Sequence, residues 1–136
     1  MYYATTCPSP VGRLTLACDG ENLVGLWMEG QKYFGGTIGE TMIFKEDLPV
    51  FEAAKGWLNR YFAGKKPAIA ELPLRPIGGA FRQGVWSLLC EIPYGETRSY
   101  KDIAEAVGSP KAFRAVGMAN HANPIFIAIP CHRVIG

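Results

Sequence analysis

The chain has 136 residues, 49% hydrophobic and 19% charged, which gives room for one domain or two small ones sharing a core and excludes a disordered chain. Net charge is +2, too small to predict a nucleic-acid partner by itself. Its excess lies in residues 80–136, which carry six basic and four acidic side chains, whereas residues 1–79 carry eight of each. No apolar run approaches the ~20 residues of a membrane span, and Met1–Thr6 has neither the basic nor the apolar region of a signal peptide. The expectation is a cytoplasmic protein, or a nuclear one if the source is eukaryotic. The four cysteines, Cys7, Cys18, Cys90 and Cys131, form no C-x-x-C pair and share the chain with only two histidines. No metal site and no disulfide framework are expected.

Residues 2–7 and 13–18 read as strands, the second with Leu14 and Leu16 alternating with Arg13 and Thr15. Asp19-Gly20 signals a turn, and Leu23–Met28 reads as a third strand of an antiparallel meander. Residues 30–46, with Gly35-Gly36 and Gly39, read as loop. A helix follows, capped by Asp47 with Pro49 in its first turn and ended by Gly64. Val50, Phe51, Ala54, Trp57, Leu58, Tyr61 and Phe62 form its core stripe. Residues 67–79 hold Pro67, Pro73, Pro76, Gly78 and Gly79, a linker expected to run over the surface. Phe81, Val85, Leu88, Leu89 and Ile92 mark the next helix, stopped by Pro93-Tyr94-Gly95.

Two short helices come next. Ser99 caps the first, with Asp102 reaching back in a capping box; Tyr100, Ile103 and Val107 are its buried stripe and Gly108 ends it. Ser109 and Pro110 are expected to open the second. The short glycine-containing gap is that of a helix-turn-helix, although many helical hairpins of this spacing bind nothing. On the second helix, Phe113, Val116, Gly117 and Asn120 are expected inward, with Lys111, Arg114, Ala115, Met118 and Ala122 outward. Cations among small residues suit a helix that approaches a phosphate backbone closely, and equally a solvated face.

Ile125-Phe126-Ile127-Ala128-Ile129 reads as a buried strand leading to Pro130-Cys131-His132-Arg133. A thiol at a strand end beside an imidazole and a guanidinium can serve as a nucleophile, because the thiolate is the reactive form. A buried cysteine with a coincidental neighbour accounts for the same residues.

The run Asn123-Pro124-Ile125-Phe126-Ile127-Ala128-Ile129-Pro130-Cys131-His132-Arg133-Val134-Ile135 resembles the active-site signature of the O6-alkylguanine-DNA alkyltransferases. Pro93-Tyr94-Gly95-Glu96, Ser99-Tyr100 and Ala112-Phe113-Arg114-Ala115-Val116-Gly117 extend the likeness in order, strongly over residues 80–136 and more loosely before them. The resemblance implies an α+β fold. Residues 1–76 would form a ribonuclease-H-like domain with its linker, and residues 77–136 a winged helix-turn-helix-like domain, incomplete at its C-terminus. It implies direct-reversal DNA repair: single-turnover transfer of an alkyl group from O6-alkylguanine to Cys131, with O4-methylthymine left open as a second substrate. His132 would act as base through a water, and Asn123 would hold the active-site turn. Tyr100 would press on the phosphate beside the target nucleotide. Arg114 would fill the space of the rotated base, and Ser99, Lys111, Ala112 and Ala115 would line the DNA-facing surface of a helix in the minor groove. The partner would be double-stranded DNA carrying alkylated guanine, met by a monomer with no cofactor and no membrane.

The resemblance departs in two respects. Some relatives hold zinc in the first domain, whereas here no histidine accompanies Cys7 and Cys18. Relatives also continue with a glycine-rich loop and a helix whose Glu bonds the active-site His, so the chain as given is expected to transfer weakly or not at all, and to be less stable than an extended one. Two other readings stand beside this one: a non-catalytic lesion-binding module, disfavoured by the presence of Cys131, and a helix-turn-helix regulator with Cys131 merely buried.

Overall fold

A computed structural model describes residues 2–28, 42–125 and 127–135. Strands β1 (Tyr3–Cys7), β2 (Leu14–Cys18) and β3 (Leu23–Met28) form the expected antiparallel meander. The turn between β2 and β3 is built by Asp19, whose carboxylate accepts from the amides of Glu21 and Asn22 at 3.0 and 2.7 Å. Gly20 supplies the positive φ of 107° that this turn requires. A short β4 (Ile43–Phe44) lies parallel to β1, giving the order β3-β2-β1-β4. The loop expected over residues 30–46 thus contains a strand near its end, and its residues 30–41 lie outside the described ones.

Helix α1 (Pro49–Phe62) buries Val50, Phe51, Ala54, Trp57 and Leu58 against the sheet. Its N-cap is Leu48, not Asp47, and no side chain caps it. Pro49 at the first position has no amide to satisfy, and the Asp47 carboxylate sits 4.0 Å from the Lys45 amine instead. Gly64 ends the helix with φ 77°.

The proline-rich segment is more than a surface linker. Leu72 is buried, residues Ile69–Glu71 form a single 3-10 turn, and Leu74 bridges to Leu23 of β3. The Leu23 amide donates to the Pro73 carbonyl and the Arg75 amide to the Leu23 carbonyl, at 2.7 and 2.8 Å. Backbone groups of the sheet edge that would otherwise need water find partners here.

Helix α2 (Ala80–Cys90) buries Val85, Trp86 and Leu89, while Phe81 stays exposed. The Trp86 indole donates to the Ala119 carbonyl at 2.9 Å, and its ring leaves no space for a Cβ at Gly78. Strand β5 (Arg98–Ser99) leads into α3 (Tyr100–Ala106), whose predicted capping box is present in both directions at 3.0 Å. Helix α4 (Phe113–His121) starts later than expected. Ser109 and Pro110 belong to a turn in which the Ala112 amide donates to the Ser109 carbonyl, so Lys111 and Ala112 precede the helix. Strand β6 (Val134–Ile135) pairs in parallel with β5. One apolar cluster runs from the sheet and α1 through α2 to α3, α4 and Ile125–Val134. Among the described residues no helix is long and apolar enough to cross a membrane.

Candidate functional site

The expected strand over Ile125–Ile129 is a buried turn instead, with Phe126 outside the described residues. Ile125 makes a single bridge to Leu26, and the Leu26 amide donates to the Pro124 carbonyl at 2.8 Å. The chain then bends back, and the Ile129 amide donates to the Ile125 carbonyl at 3.0 Å. Ile127 takes φ 70°, a left-handed conformation that costs a β-branched residue about 1–3 kcal/mol. An apolar run suits a strand or a packed turn equally, and here the polar side chain before it decides.

That side chain is Asn123, which is only 3% exposed. Its amide nitrogen donates to the Ile129 carbonyl at 2.7 Å, and its oxygen accepts from the Ile125 amide at 3.0 Å. One residue thus ties both ends of the bend. Pro130 follows with φ −81° and ψ 67°, and the Cys131 amide donates back to the Ile129 carbonyl at 2.8 Å. This is an inverse γ-turn, and the fixed φ of proline suits its centre.

Cys131 opens the short 3-10 turn Cys131–Arg133 and is half-buried. The other thiols differ from it. Cys7 and Cys18 are buried in the sheet, and burial pushes the Cys18 thiol up. Burial pushes the Cys90 thiol up to about 11, outweighing the opposing charge of Arg133. His132 reaches solvent, yet enough protein surrounds its ring that partial burial, then the Arg133 charge, lowers its pKa below the ordinary imidazole value. It is therefore neutral near pH 7 and able to accept a proton.

Arg133, read from the sequence only as a nearby charge, anchors the turn. Its guanidinium donates to the Ile92 carbonyl at 2.6 Å and lies 5.4 Å from the Tyr94 ring centre, with the Lys66 amine over the same ring at 5.2 Å. Tyr94 in turn meets Tyr61 of α1 edge-on at 6.4 Å. The turn after Cys131 is thereby pinned to the end of α2 and to α1. No spacing rule reveals such a contact, because its partners lie 41 residues apart.

The β5–β6 pairing brings Ser99 opposite Ile135 and so sets the start of α3 beside the chain that follows Cys131. Tyr100, the first residue of α3, is partly buried against the core. Lys111, Arg114 and Ala115 are exposed and Ala112 is half-buried. Among the described residues Lys111 and Arg114 have no ion pair and no side-chain hydrogen bond. Two orientations on α4 differ from expectation. Phe113, the first residue of the helix, is 48% exposed rather than inward, and Ala122, just past its end, is buried rather than outward. Val116 and Asn120 point inward as expected. Among the described residues no group of three or more His, Cys, Asp or Glu is placed to hold a metal.

Two family models match the chain. Residues 1–76 match the ribonuclease-like domain of 6-O-methylguanine DNA methyltransferase, and residues 80–136 match its DNA binding domain. A methylated-DNA--protein-cysteine methyltransferase of Haemophilus influenzae is 42% identical over 98% of this chain and 73% of its own length. One from Mycobacterium bovis is 48% identical over 100% of this chain and 79% of its own. Among solved structures, Mycobacterium tuberculosis O6-methylguanine methyltransferase superposes with a TM-score of 0.85 at 44% identity, covering 100% of this chain and 79% of that one. The Mycobacterium tuberculosis OGT in complex with DNA gives 0.84 at 45% identity, over 99% and 78%. The chain belongs to the 6-O-methylguanine DNA methyltransferase family.

Proposed function

We propose that this chain repairs DNA by direct reversal, moving the alkyl group of O6-alkylguanine onto Cys131 once per molecule. The observation that carries the assignment to Cys131 is the Asn123-braced turn, which presents a half-buried thiol next to a neutral imidazole. Cys7 and Cys18 lie inside the sheet, and Cys90 is held as an unreactive thiol by its high pKa.

In the proposed step His132, through a water, takes the Sγ proton. The sulfur attacks the alkyl carbon, the carbon–O6 bond breaks with its electron pair going to guanine, and the guanine anion takes up, through solvent, the equivalent of the proton that His132 accepted. The product is a thioether, which water does not readily cleave, so the protein is consumed. The alkyl donor is the lesion itself, and the step calls for no further cofactor. Asn123 keeps the thiol in place.

The target carbon lies inside a stacked duplex, so the base must leave the stack at a cost of a few kcal/mol. Residues 77–136 act as the DNA-facing unit and residues 1–76 support it. Ser99 fixes the start of α3 and presents Tyr100 to the phosphate beside the target. Lys111 contacts phosphate, Ala112 and Ala115 allow close approach of α4 to the minor groove, and Arg114 occupies the vacated space. The protein works as a monomer.

The test is intact mass followed by peptide mapping after incubation with a duplex containing O6-methylguanine. The expected result is a gain of one methyl, located on Cys131. No gain, or a methyl on Cys7, Cys18 or Cys90, refutes the proposal.

A further inference from the structure

Cys131, His132 and Arg133 share one hydrogen-bonded turn. The Arg133 amide donates to the Pro130 carbonyl at 3.0 Å, and the Val134 amide donates to the Cys131 carbonyl. Whatever fixes Arg133 therefore fixes the thiol two residues before it. The guanidinium has no ion pair among the described residues. It is held by one hydrogen bond, to the Ile92 carbonyl at 2.6 Å, and by the ring of Tyr94. A planar group on a single bond can pivot about it, so the ring sets its angle.

Tyr94 needs support of its own. It is 50% exposed and lies outside every helix and strand, in a turn closed by the Glu96 amide on the Pro93 carbonyl. Its support comes from the segment before residue 77. Tyr61, which meets the ring edge-on, is itself stacked on the buried Trp57 with centroids 5.4 Å apart and planes 14° apart. The Lys66 amine lies over the Tyr94 ring at 5.2 Å, and Lys66 too has no ion pair among the described residues. Lys66 takes φ 50°, a left-handed conformation uncommon outside glycine. An unfavourable backbone bend thus accompanies a lysine that meets a π face and no carboxylate, and such bends gather where position matters.

We propose that Tyr94 is a positioning residue for alkyl transfer, acting through Arg133, and that Lys66 acts on the same reaction through Tyr94. The ring fixes the angle of the guanidinium, the guanidinium fixes the turn, and the turn aims the thiol. Lys66 and Tyr61 hold the ring from behind, so residues 1–76 reach the thiol turn by side chains as well as by the Leu26–Pro124 main-chain bond. Neither Tyr94 nor Lys66 is asked to touch DNA or guanine. The proposal deepens the function argued above and rests on it.

The experiment follows single-turnover transfer from free O6-benzylguanine over a range of concentrations, which separates the maximum rate from the half-saturating concentration. The chains are the parent, Tyr94→Leu, Tyr94→Phe, Lys66→Met and the Tyr94→Leu, Lys66→Met pair. Tyr94→Leu is expected to lower the maximum rate about tenfold and to leave the half-saturating concentration within about twofold, because a misaimed thiol misses the carbon even when the base is bound. Tyr94→Phe keeps the ring and should stay within about twofold of the parent. Lys66→Met should cost about twofold to fivefold, and nothing further when added to Tyr94→Leu, where no ring is left to act through. Iodoacetamide labelling reads the fold, and the buried Cys7 and Cys18 should stay protected in every variant. A maximum rate in Tyr94→Leu within about twofold of the parent overturns the proposal. So do additive losses in the pair, equal losses in Tyr94→Phe and Tyr94→Leu, or labelling of Cys7 and Cys18 alongside the slowed rate. A parent that accepts no benzyl group on Cys131 overturns the functional reading instead. The Cys131 amide resonance then decides the geometry: it should move in Tyr94→Leu and hold in Tyr94→Phe, and an unmoved resonance in Tyr94→Leu overturns the route through the ring.

Discussion

Replacing Asn123 with alanine removes two buried hydrogen bonds at once. The Ile129 carbonyl loses its donor at 2.7 Å and the Ile125 amide loses its acceptor at 3.0 Å. Each buried group left without a partner costs about 1–3 kcal/mol. The Ile129 carbonyl keeps the Cys131 amide as a second donor, which places the total near the lower half, about 3 kcal/mol. In a chain of this size that lowers the thermal midpoint by roughly 10 °C. The same change frees Ile127 from its left-handed conformation, so the bend opens and Cys131 moves. A displacement on the order of 1 Å costs about 100-fold in a positioned reaction. Asn123→Asp separates the two bonds. Its carboxylate still accepts from Ile125 but faces the Ile129 carbonyl without a proton to give. Burial and that carbonyl raise its folded pKa above the unfolded value, so stability is greatest at low pH and is lost as pH rises through that window. Differential scanning calorimetry and single-turnover transfer from O6-benzylguanine measure both effects. A midpoint within about 2 °C of the parent, together with a rate within about twofold, refutes the role of Asn123 as the brace of the turn.

Cys131→Ala is expected to abolish alkyl transfer while duplex affinity stays at the parent level, read by intact mass and anisotropy on the same preparation. Arg114→Ala should slow repair of duplex DNA at least about tenfold and leave reaction with free O6-benzylguanine unchanged, because a free base needs no help leaving a stack; equal losses on both substrates would mark Arg114 as structural. The lowered pKa of His132 means that transfer holds as pH falls through the ordinary imidazole range and declines only below it, when the ring finally takes a proton. The same shift makes the unfolded chain bind more protons than the folded one below about pH 6.5, so stability also declines on acidification there, which pH-dependent thermal melts will detect. Iodoacetamide at pH 8 should label Cys131 well before Cys90, whose thiol is held near 11, and before the buried Cys7 and Cys18; first labelling at Cys90 would contradict this ordering.

Where local rules act alone, the sequence was a good guide. The Asp19 turn, the α1 stripe and the Ser99–Asp102 capping box follow from neighbours within four residues of one another, and the meander from alternation along each strand with a short turn between strands. The misreadings arise where other partners overruled local preference. Ser109 and Pro110 have the chemistry of a helix start, yet they close a separate turn through the Ala112 amide, and α4 begins at Phe113 with that ring exposed. Asp47 is a good cap by type, but Leu48 takes the N-cap position and its carbonyl accepts from the Phe51 and Glu52 amides. Ile125–Ile129 has the composition of a strand, and only the reach of Asn123 across six residues makes it a turn. The candidate residues Cys131, His132 and Asn123 were picked out from their motif, and the structure sets the first two on the short turn that follows the Asn123-braced bend. The Arg133 clamp on Ile92 and Tyr94 was not, because nothing in the run Cys131-His132-Arg133 says which distant carbonyl will accept.

The edge of β3 carries a consequence for how such a chain can be divided or recombined. Leu23 exchanges backbone bonds with the proline-rich segment, and Leu26 donates to Pro124 at the mouth of the thiol turn. Cut between the two family-matched segments, the first fragment would keep the Leu23 bonds to the proline-rich segment but bare the Leu26 end of the strand edge, and the second would leave the Pro124 carbonyl without its donor shortly before Cys131. Each piece would then be adhesive chiefly toward the other. A chimera that joins one half to a foreign counterpart inherits the same constraint: it must reproduce a main-chain register as well as an apolar fit. Two separately expressed halves should therefore remain silent apart and regain a protected sheet edge and an ordered thiol turn on mixing, the behaviour wanted of a fragment-complementation reporter.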